Sequence, residues 1–384
     1  MNRSIRIISV LTVVFILMSA LCINTSAAVS TPAVKNMGTR NTVCTALSAS
    51  ATSYYTENYT YDTLSQKSSA ELLTSLRTFM TTTHTGKSSY KNCKEYAYYT
   101  DCQNGGTDNT VSLIYSSYSA TSDQWASDGS NGWNREHVWP RNLGGKYETS
   151  DTPGCDLHHV RPSDARINSV RNDRKYGNVT GGTATTGVIT TASGGEYKGD
   201  YFEPLDNVKG DVARICLYVY VRYGAEYSAL NNITNVFESV DVLLEWCELD
   251  PVDTWEMSRT DVVESVQGNR NVFIDYPEYA WLLFGEEMPT DMQTPSGMAK
   301  QHKPSADDTD TPAPETNTSE TNTTETNAPE TNAPATEAPK TESPTTDGEK
   351  QPTEAGCGSS IAISSICFVG IVALATVIKK KEDQ

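Results

Sequence analysis

Apolar positions recur at helical spacing in residues 69–80 (SAELLTSLRTFM), where Leu72, Leu73, Leu76 and Phe79 fall on one side of a 3.6-residue repeat. The same repeat returns in the C-terminal third. Val212, Ile215, Cys216, Val219, Tyr220 and Tyr223 share a face, and 237–247 forms a second amphipathic run stopped by Asp250 and Pro251. A third helix is predicted over 253–267. The middle of the chain is less periodic. Residues 110–119 (TVSLIYSSYS) are rich in Val, Ile and Tyr and predict a strand, and 136–139 and 157–160 predict short strands ended by Pro140 and Pro162. Residues 164–175 hold no breaker and predict a helix, and the Thr- and Gly-rich stretch 180–200 predicts a loop or hairpin.

The two ends depart from this pattern. Residues 1–28 have a basic start (Arg3, Arg6), an apolar run from Ile7 to Leu21 and small residues at 26–28, the layout of a secretory signal. Residues 29–51 predict a linker. Residues 286–355 are Thr, Glu, Pro, Asn and Asp with a degenerate ETN repeat and almost no aliphatic side chains, so they cannot offset the entropy of ordering and predict an extended stalk, most simply a spacer. The uncharged apolar stretch within 356–378 is long enough for one membrane crossing, and Lys379, Lys380 and Lys381 in the tail 379–384 favour its cytoplasmic side. The expectation is an extracellular domain, 52–285, tethered to the cell membrane by its C-terminus.

Export permits disulfides, and the short spacing makes Cys93 and Cys102 the best candidate pair; Cys216 and Cys247 lie in apolar helical patterns and fit buried thiols equally well. Charge sharpens the picture further. Residues 51–285 carry 31 acidic and 19 basic residues, a poor overall footprint for a polyanion binder. Residues 134–175 reverse this, with eight Lys and Arg against six Asp and Glu. A small cationic site on an acidic protein is therefore expected.

That region also gathers histidine. The chain has five histidines, and three lie in NREHVWPRNLGG (134–145) and DLHHVRPSDARINSVRND (156–173). A neutral His takes a proton from water near neutral pH, a carboxylate holds a hard divalent cation, and arginine neutralises phosphate. Together with a metal at the leaving oxygen, these are the requirements of phosphodiester hydrolysis. Glu136 and His137 are flanked by Arg135 and Arg141, and the second block supplies Arg161, Arg166, Arg171, Arg174 and the amides of Asn168 and Asn172. Other readings compete. Helix arginines are mostly solvated, His158 and His159 fit a satisfied core pair, and His137, His158, His159 and Cys155 form a rival zinc set whose spacing matches no familiar structural zinc pattern. One geometric objection applies: neighbours on a regular strand point to opposite faces, so Glu136 and His137 share a cavity only where the strand is irregular or ends.

These two blocks, with FEPLDNVKGDVARICLYVYVRY (202–223) and LLEWCELDPVDTWEMSRTDVVESVQGNRNVFIDYP (243–277), resemble the bacterial endonuclease I family, in order and over most of 55–285. The resemblance implies an α+β fold with a ββα-metal (His-metal finger) core surrounded by helices. It implies His137 as general base, and Glu136 and Asn168 as ligands of a single Mg²⁺-like ion, with Ca²⁺ or Mn²⁺ as alternatives. Arg141 and Arg161 are then the arginines for the charged phosphorus centre, with Arg135, His159, Arg171 and Arg174 contacting substrate. DNA and probably RNA are the implied substrates, cut to leave 5′-phosphates by a monomer needing no protein partner. Two positions depart from the family pattern: His159 stands where DLHN has asparagine, and Val272 where NRNPFID has proline. Two other functions remain open, a non-enzymatic adhesin-like module on a stalk and a metal hydrolase acting on another phosphoester.

Overall fold

The structure is a computed structural model, and it describes residues 31–32, 36–103, 109–116, 118–126, 131–145, 152–189, 191 and 193–299. The expected signal segment, membrane span and cytoplasmic tail, and the stalk beyond residue 299, lie outside the described residues. Among the described residues no helix is long and apolar enough to cross a membrane.

The helices are α1 (Ala49–Tyr54), α2 (Tyr61–Leu64), α3 (Ser69–Thr83), α4 (Tyr90–Thr100), α5 (Ala165–Arg171), α6 (Asp206–Tyr223), α7 (Val240–Leu249), α8 (Thr254–Gln267), α9 (Val272–Asp275) and α10 (Tyr279–Phe284). The strands are β1 (Thr110–Ser112), β2 (Ser119–Thr121), β3 (Trp133–His137), β4 (Val160–Asp164), β5 (Lys175–Tyr176), β6 (Thr183–Thr186), β7 (Ser193–Lys198) and β8 (Tyr201–Glu203). They form two antiparallel pairs, β1–β2 and β3–β4, and one four-stranded sheet in the order β5-β8-β7-β6 with β5 parallel to β8. This mixture is α+β.

The periodic segments form where their sequence predicts them, and local chemistry sets their ends. Glu71 reaches back to the Ser68 N–H at 3.2 Å to open α3. Asp253 and Glu256 do the same for α8, at 2.8 and 3.2 Å. The predicted face of α6 is buried, and so is most of the rest of that helix, because α3, α7 and α9 pack around it. Its large apolar side chains each contribute about 1.5–3 kcal/mol on burial.

The middle of the chain differs from expectation in three ways. The second strand of the β3–β4 pair lies at 160–164 rather than 157–160, with Pro162 inside it. Pro162 pairs with Arg135 across an edge-exposed two-stranded ladder. A proline cannot donate, so this is a non-hydrogen-bonded pair whose polar groups face away from the partner, and the Pro162 carbonyl accepts from Ile114 N at 2.9 Å on that outer side. The helix expected over 164–175 stops at Arg171 because Asn172 leaves helical geometry, at φ 47° and ψ −127°. The 110–119 strand is instead a β1–β2 hairpin.

The packed unit is also longer than 52–285. Val43 bridges to Asp253, and Gly38 N donates to Ser258 Oγ at 2.9 Å, so the expected linker lies against α8. Met288, Met292 and Ala299 are buried in the main core, and Thr294 and Ser296 both donate to Glu278 Oε1. The short stretch expected to begin the stalk thus packs onto the domain. The expected Cys93–Cys102 bridge is not present. Both are buried free thiols, and Cys93 Sγ instead donates to the Cys155 carbonyl at 3.4 Å. Cys216 and Cys247, for which the sequence left both states open, are buried thiols.

Candidate active site

β3, β4 and α5 follow one another so closely that they act as one unit. β4 runs straight into α5, whose N-cap Asp164 accepts from Arg166 N and Ile167 N at 2.9 and 3.3 Å. Among the described residues β3 has only β4 as a ladder partner, and its other edge carries no strand beyond the Trp125–Trp133 bridge. The outward-facing groups of β3 are those of Arg135 and, two residues on, His137. α5 covers them. Asn168 Nδ2 donates to the Arg135 carbonyl at 3.2 Å, and Arg171 Nη1 donates to the His137 carbonyl at 3.3 Å. These side chains are three apart, hence on one helix face.

A cavity of about 580 Å³ runs along this edge, and Glu136, His137, Arg141, Asn168 and Arg171 are among its lining residues. This resolves the alternation problem. β3 remains regular through its pairing of His137 with Val160, but the cavity wraps the strand's open edge, so residues from both faces reach it. On one face Arg135 and His137 lie against Tyr90 of α4, with ring centroids 5.7 Å apart for Tyr90 and His137. On the other, Asn134 and Glu136 meet α5, and Asn134 Oδ1 accepts from Asn168 Nδ2 at 2.8 Å.

His137 is 3 % exposed, and its Nε2 lies 3.3 Å from the Gly154 carbonyl. A carbonyl only accepts, so Nε2 carries the proton and Nδ1 keeps the lone pair. Burial first, then His159 and Arg141, hold the ring well below the ordinary histidine pKa, so it is neutral at pH 7. Glu136 is equally buried; Tyr115 Oη donates to its Oε1 at 2.7 Å, and Arg171 Nη1 is 3.4 Å away. Burial raises this carboxyl's pKa despite both partners.

The remaining predicted residues divide sharply. Arg135 and Arg141 line the cavity, Arg141 on an exposed turn just past Pro140. Arg171 lines it too but is fully buried and committed to backbone carbonyls, including those of Val138 and Asn172. Arg161, expected at the phosphate, sits in the core with its Nε 2.7 Å from Asp101 Oδ1, because β4 turns alternate residues inward. Arg174 is tied to the Gly199 and Val170 carbonyls and packs on Tyr197, outside the cavity.

His159 is also outside, fully buried. Its Nδ1 lies 2.6 Å from the Pro153 carbonyl, and its Nε2 receives Trp139 N at 2.8 Å, which satisfies a neutral ring with one proton. His158 is held by the Asn269 carbonyl at 3.1 Å, and burial pushes its pKa down to about 3. The zinc set is therefore not assembled, and no group of three His, Cys, Asp or Glu side chains among the described residues could hold a metal. Sequence reading missed Asn134, Tyr115 and Tyr90. Only the N of NREH gave any signal for the first; the two tyrosines reach the site through the tertiary fold.

Two short strands feeding a helix thus bring a buried His, a carboxylate and an amide to one cavity. Residues 68–278 match the family model described as Endonuclease I, and the chain belongs to that family. It is 42 % identical over 183 residues to an extracellular ribonuclease of Bacillus subtilis and, equally, to one of Bacillus amyloliquefaciens, covering 45 % of this chain and 60 % of each relative. It is 26 % identical over 119 residues to Endonuclease-1 of Buchnera aphidicola, covering 31 % of this chain and 44 % of that protein. The chain thus spans about 60 % of the length of the Bacillus relatives.

Proposed function

We propose that this protein is an exported, metal-dependent endonuclease that hydrolyses phosphodiester bonds of DNA and RNA, leaving 5′-phosphates. The observation that carries the reading is the neutral His137, with its Nδ1 lone pair free of the Gly154 contact, on the same cavity as Glu136 and Asn168. The donor chemistry suits a hard divalent cation of the Mg²⁺ class. The two groups offer oxygen, and Asn168 commits its Nδ2 to Asn134 and Arg135, which leaves Oδ1 available. Glu136 and Asn168 would hold such an ion, with water and substrate completing its coordination.

When bound, the cation would offset charge on the phosphate and on the departing oxygen. The chain's own residues do the rest. His137 Nδ1 accepts a proton from water as the water oxygen bonds to phosphorus. The phosphorus–O3′ bond breaks, its electron pair leaves on O3′, and that oxygen takes a proton from solvent to become the 3′-hydroxyl. Arg141, on the cavity rim, compensates charge at phosphorus. Arg171 acts as a positioning residue, fixing the His137 backbone and facing Glu136. The names of the relatives support both RNA and a broader endonuclease substrate range. The signal-like start and the 356–378 stretch support export and tethering to the membrane.

A zymogram with DNA and with RNA, each run with and without chelator, tests this. Cleavage of both that disappears with chelator is expected. Undiminished cleavage under chelator removes the metal, and no cleavage with any divalent cation favours the adhesin-like alternative.

A further inference from the structure

The cavity has a rim that the chemistry above does not use. α4 opens at Tyr90 with Ser89 as its N-cap, the Ser89 Oγ accepting from Asn92 N at 3.2 Å. From 87 to 94 the chain reads KSSYKNCK, three lysines and no carboxylate in a protein of formal net charge −18. Lys91 is exposed and Lys94 half-buried. Lys94 Nζ sits 5.0 Å from the Trp125 ring, and the Arg135 guanidinium lies 3.6 Å from Tyr90 and 5.1 Å from Trp125. Both rings line the cavity.

A lysine head ordinarily trails into water on its flexible stem. Here a cation–π contact holds it over Trp125, a ring that lines the cavity. The ring is itself fixed, because Trp125 packs edge-on against the buried Trp133 at 4.8 Å. The first-turn amides of α4 add partial positive charge on the same side. Carboxylates share this region: Glu136 and Asp173 line the same cavity, and two more lie nearby in sequence. Glu95 bears on Tyr98 further along the helix, and Asp123 accepts from Thr121 Oγ1 at 2.5 Å.

The geometry points to a shelf of Lys94 and Arg135, mounted on Trp125 and Tyr90 and extended by the exposed Lys91, three residues from Lys94 and so on the same face of α4, that binds the phosphates of nucleotides flanking the bond to be cut. Its occupant is the phosphodiester backbone of a strand long enough to run past the cavity. This rests on the nucleic-acid reading of the site and explains how an acidic protein grips a polyanion: a local row of cations is placed where the backbone leaves the cavity.

Two measurements separate the shelf from the nuclease reading. The first is fluorescence anisotropy of a labelled long oligothymidylate in chelator, over a salt series. The proteins compared are the wild type, Lys91→Gln with Lys94→Gln, and a control with Lys67→Gln and Lys198→Gln. Each lost phosphate contact should lower the slope of log K against log salt by about 0.7, so the double variant should lose about 1.4 and the control nothing. The second is cleavage: kcat/KM on the long strand should fall several-fold in the double variant, with a thymidine dinucleotide unaffected. A wild type that binds with this slope but cleaves nothing keeps the shelf and removes the nuclease. Equal slopes in wild type and double variant, or equal losses on long strand and dinucleotide, overturn the shelf.

Discussion

His137 turns its Nε2 to the carbonyl oxygen of Gly154, 3.3 Å away. That single contact selects the tautomer with Nδ1 unprotonated, and burial keeps the second proton off. In ¹⁵N-histidine NMR spectra His137 should therefore appear as the neutral Nε2–H form at pH 6.5, where an unperturbed histidine is about half charged. An imidazolium signal for this ring at that pH would contradict the assignment.

His159 holds the turn that carries Gly154. Its Nδ1–H donates to Pro153 at 2.6 Å while Trp139 N donates to its Nε2 at 2.8 Å, so one neutral ring ties the end of β3 to the 153–154 turn. An asparagine amide also offers one donor and one acceptor side, so it can keep part of this bridge where a leucine cannot. His159→Asn should keep kcat within about tenfold, while His159→Leu should lower kcat by about 10²-fold with little change in KM. Steady-state kinetics on a DNA or RNA substrate read this directly, and equal losses in the two variants would show that the polar bridge is irrelevant.

Tyr115 and Asn168 should act on metal affinity. Tyr115 donates to Glu136 at 2.7 Å, and Asn168 is aligned by Asn134. Tyr115→Phe should weaken Mn²⁺ binding by about 10–100-fold, the usual cost of losing a partner behind a ligand, and Asn168→Ala should weaken it further. Calorimetric titration checks both without reliance on turnover.

Asp101 governs acid stability. Burial raises its pKa, but Arg259 and Arg161 outweigh burial and leave it below the ordinary carboxylate value. A carboxyl whose folded pKa is lower than its unfolded one stabilises the fold above the unfolded pKa, about 3.9, and loses that contribution as pH falls through the folded value. Asp101→Asn should cost about 3–5 kcal/mol at pH 7, because Arg161 and Arg259 are left buried without a counter-charge, and should flatten the melting-temperature profile below pH 4. Arg161→Met should also lower the melting temperature while leaving kcat unchanged, since Arg161 is Asp101's partner and not a cavity residue.

The helical elements and the residues that line the cavity were more legible in the sequence than the geometry that joins them. The apolar stripes of α3, α6 and α8 are visible because burial imposes a 3.6-residue repeat on them. NREH and the block holding Asn168 point to the cavity because few other functions gather such residues. The arginines could not be sorted the same way. Arg161 and Arg171 look alike in sequence, and only the pairing of β4 with β3 and the arrival of Asp101 separate a core ion pair from a cavity wall. Pro162 misled because strand-ending proline is the common case, and an edge pair facing outward is the exception. The cysteines misled because short spacing in sequence says nothing about which way two buried thiols point.

The most direct test is single-turnover cleavage of supercoiled plasmid DNA and of RNA over a Mg²⁺ titration, comparing wild type with His137→Ala. Removing a general base at this position should slow cleavage by about 10²-fold or more at saturating Mg²⁺ while the folded protein's melting temperature stays close to wild type. Full Mg²⁺-dependent cleavage by His137→Ala would contradict the account.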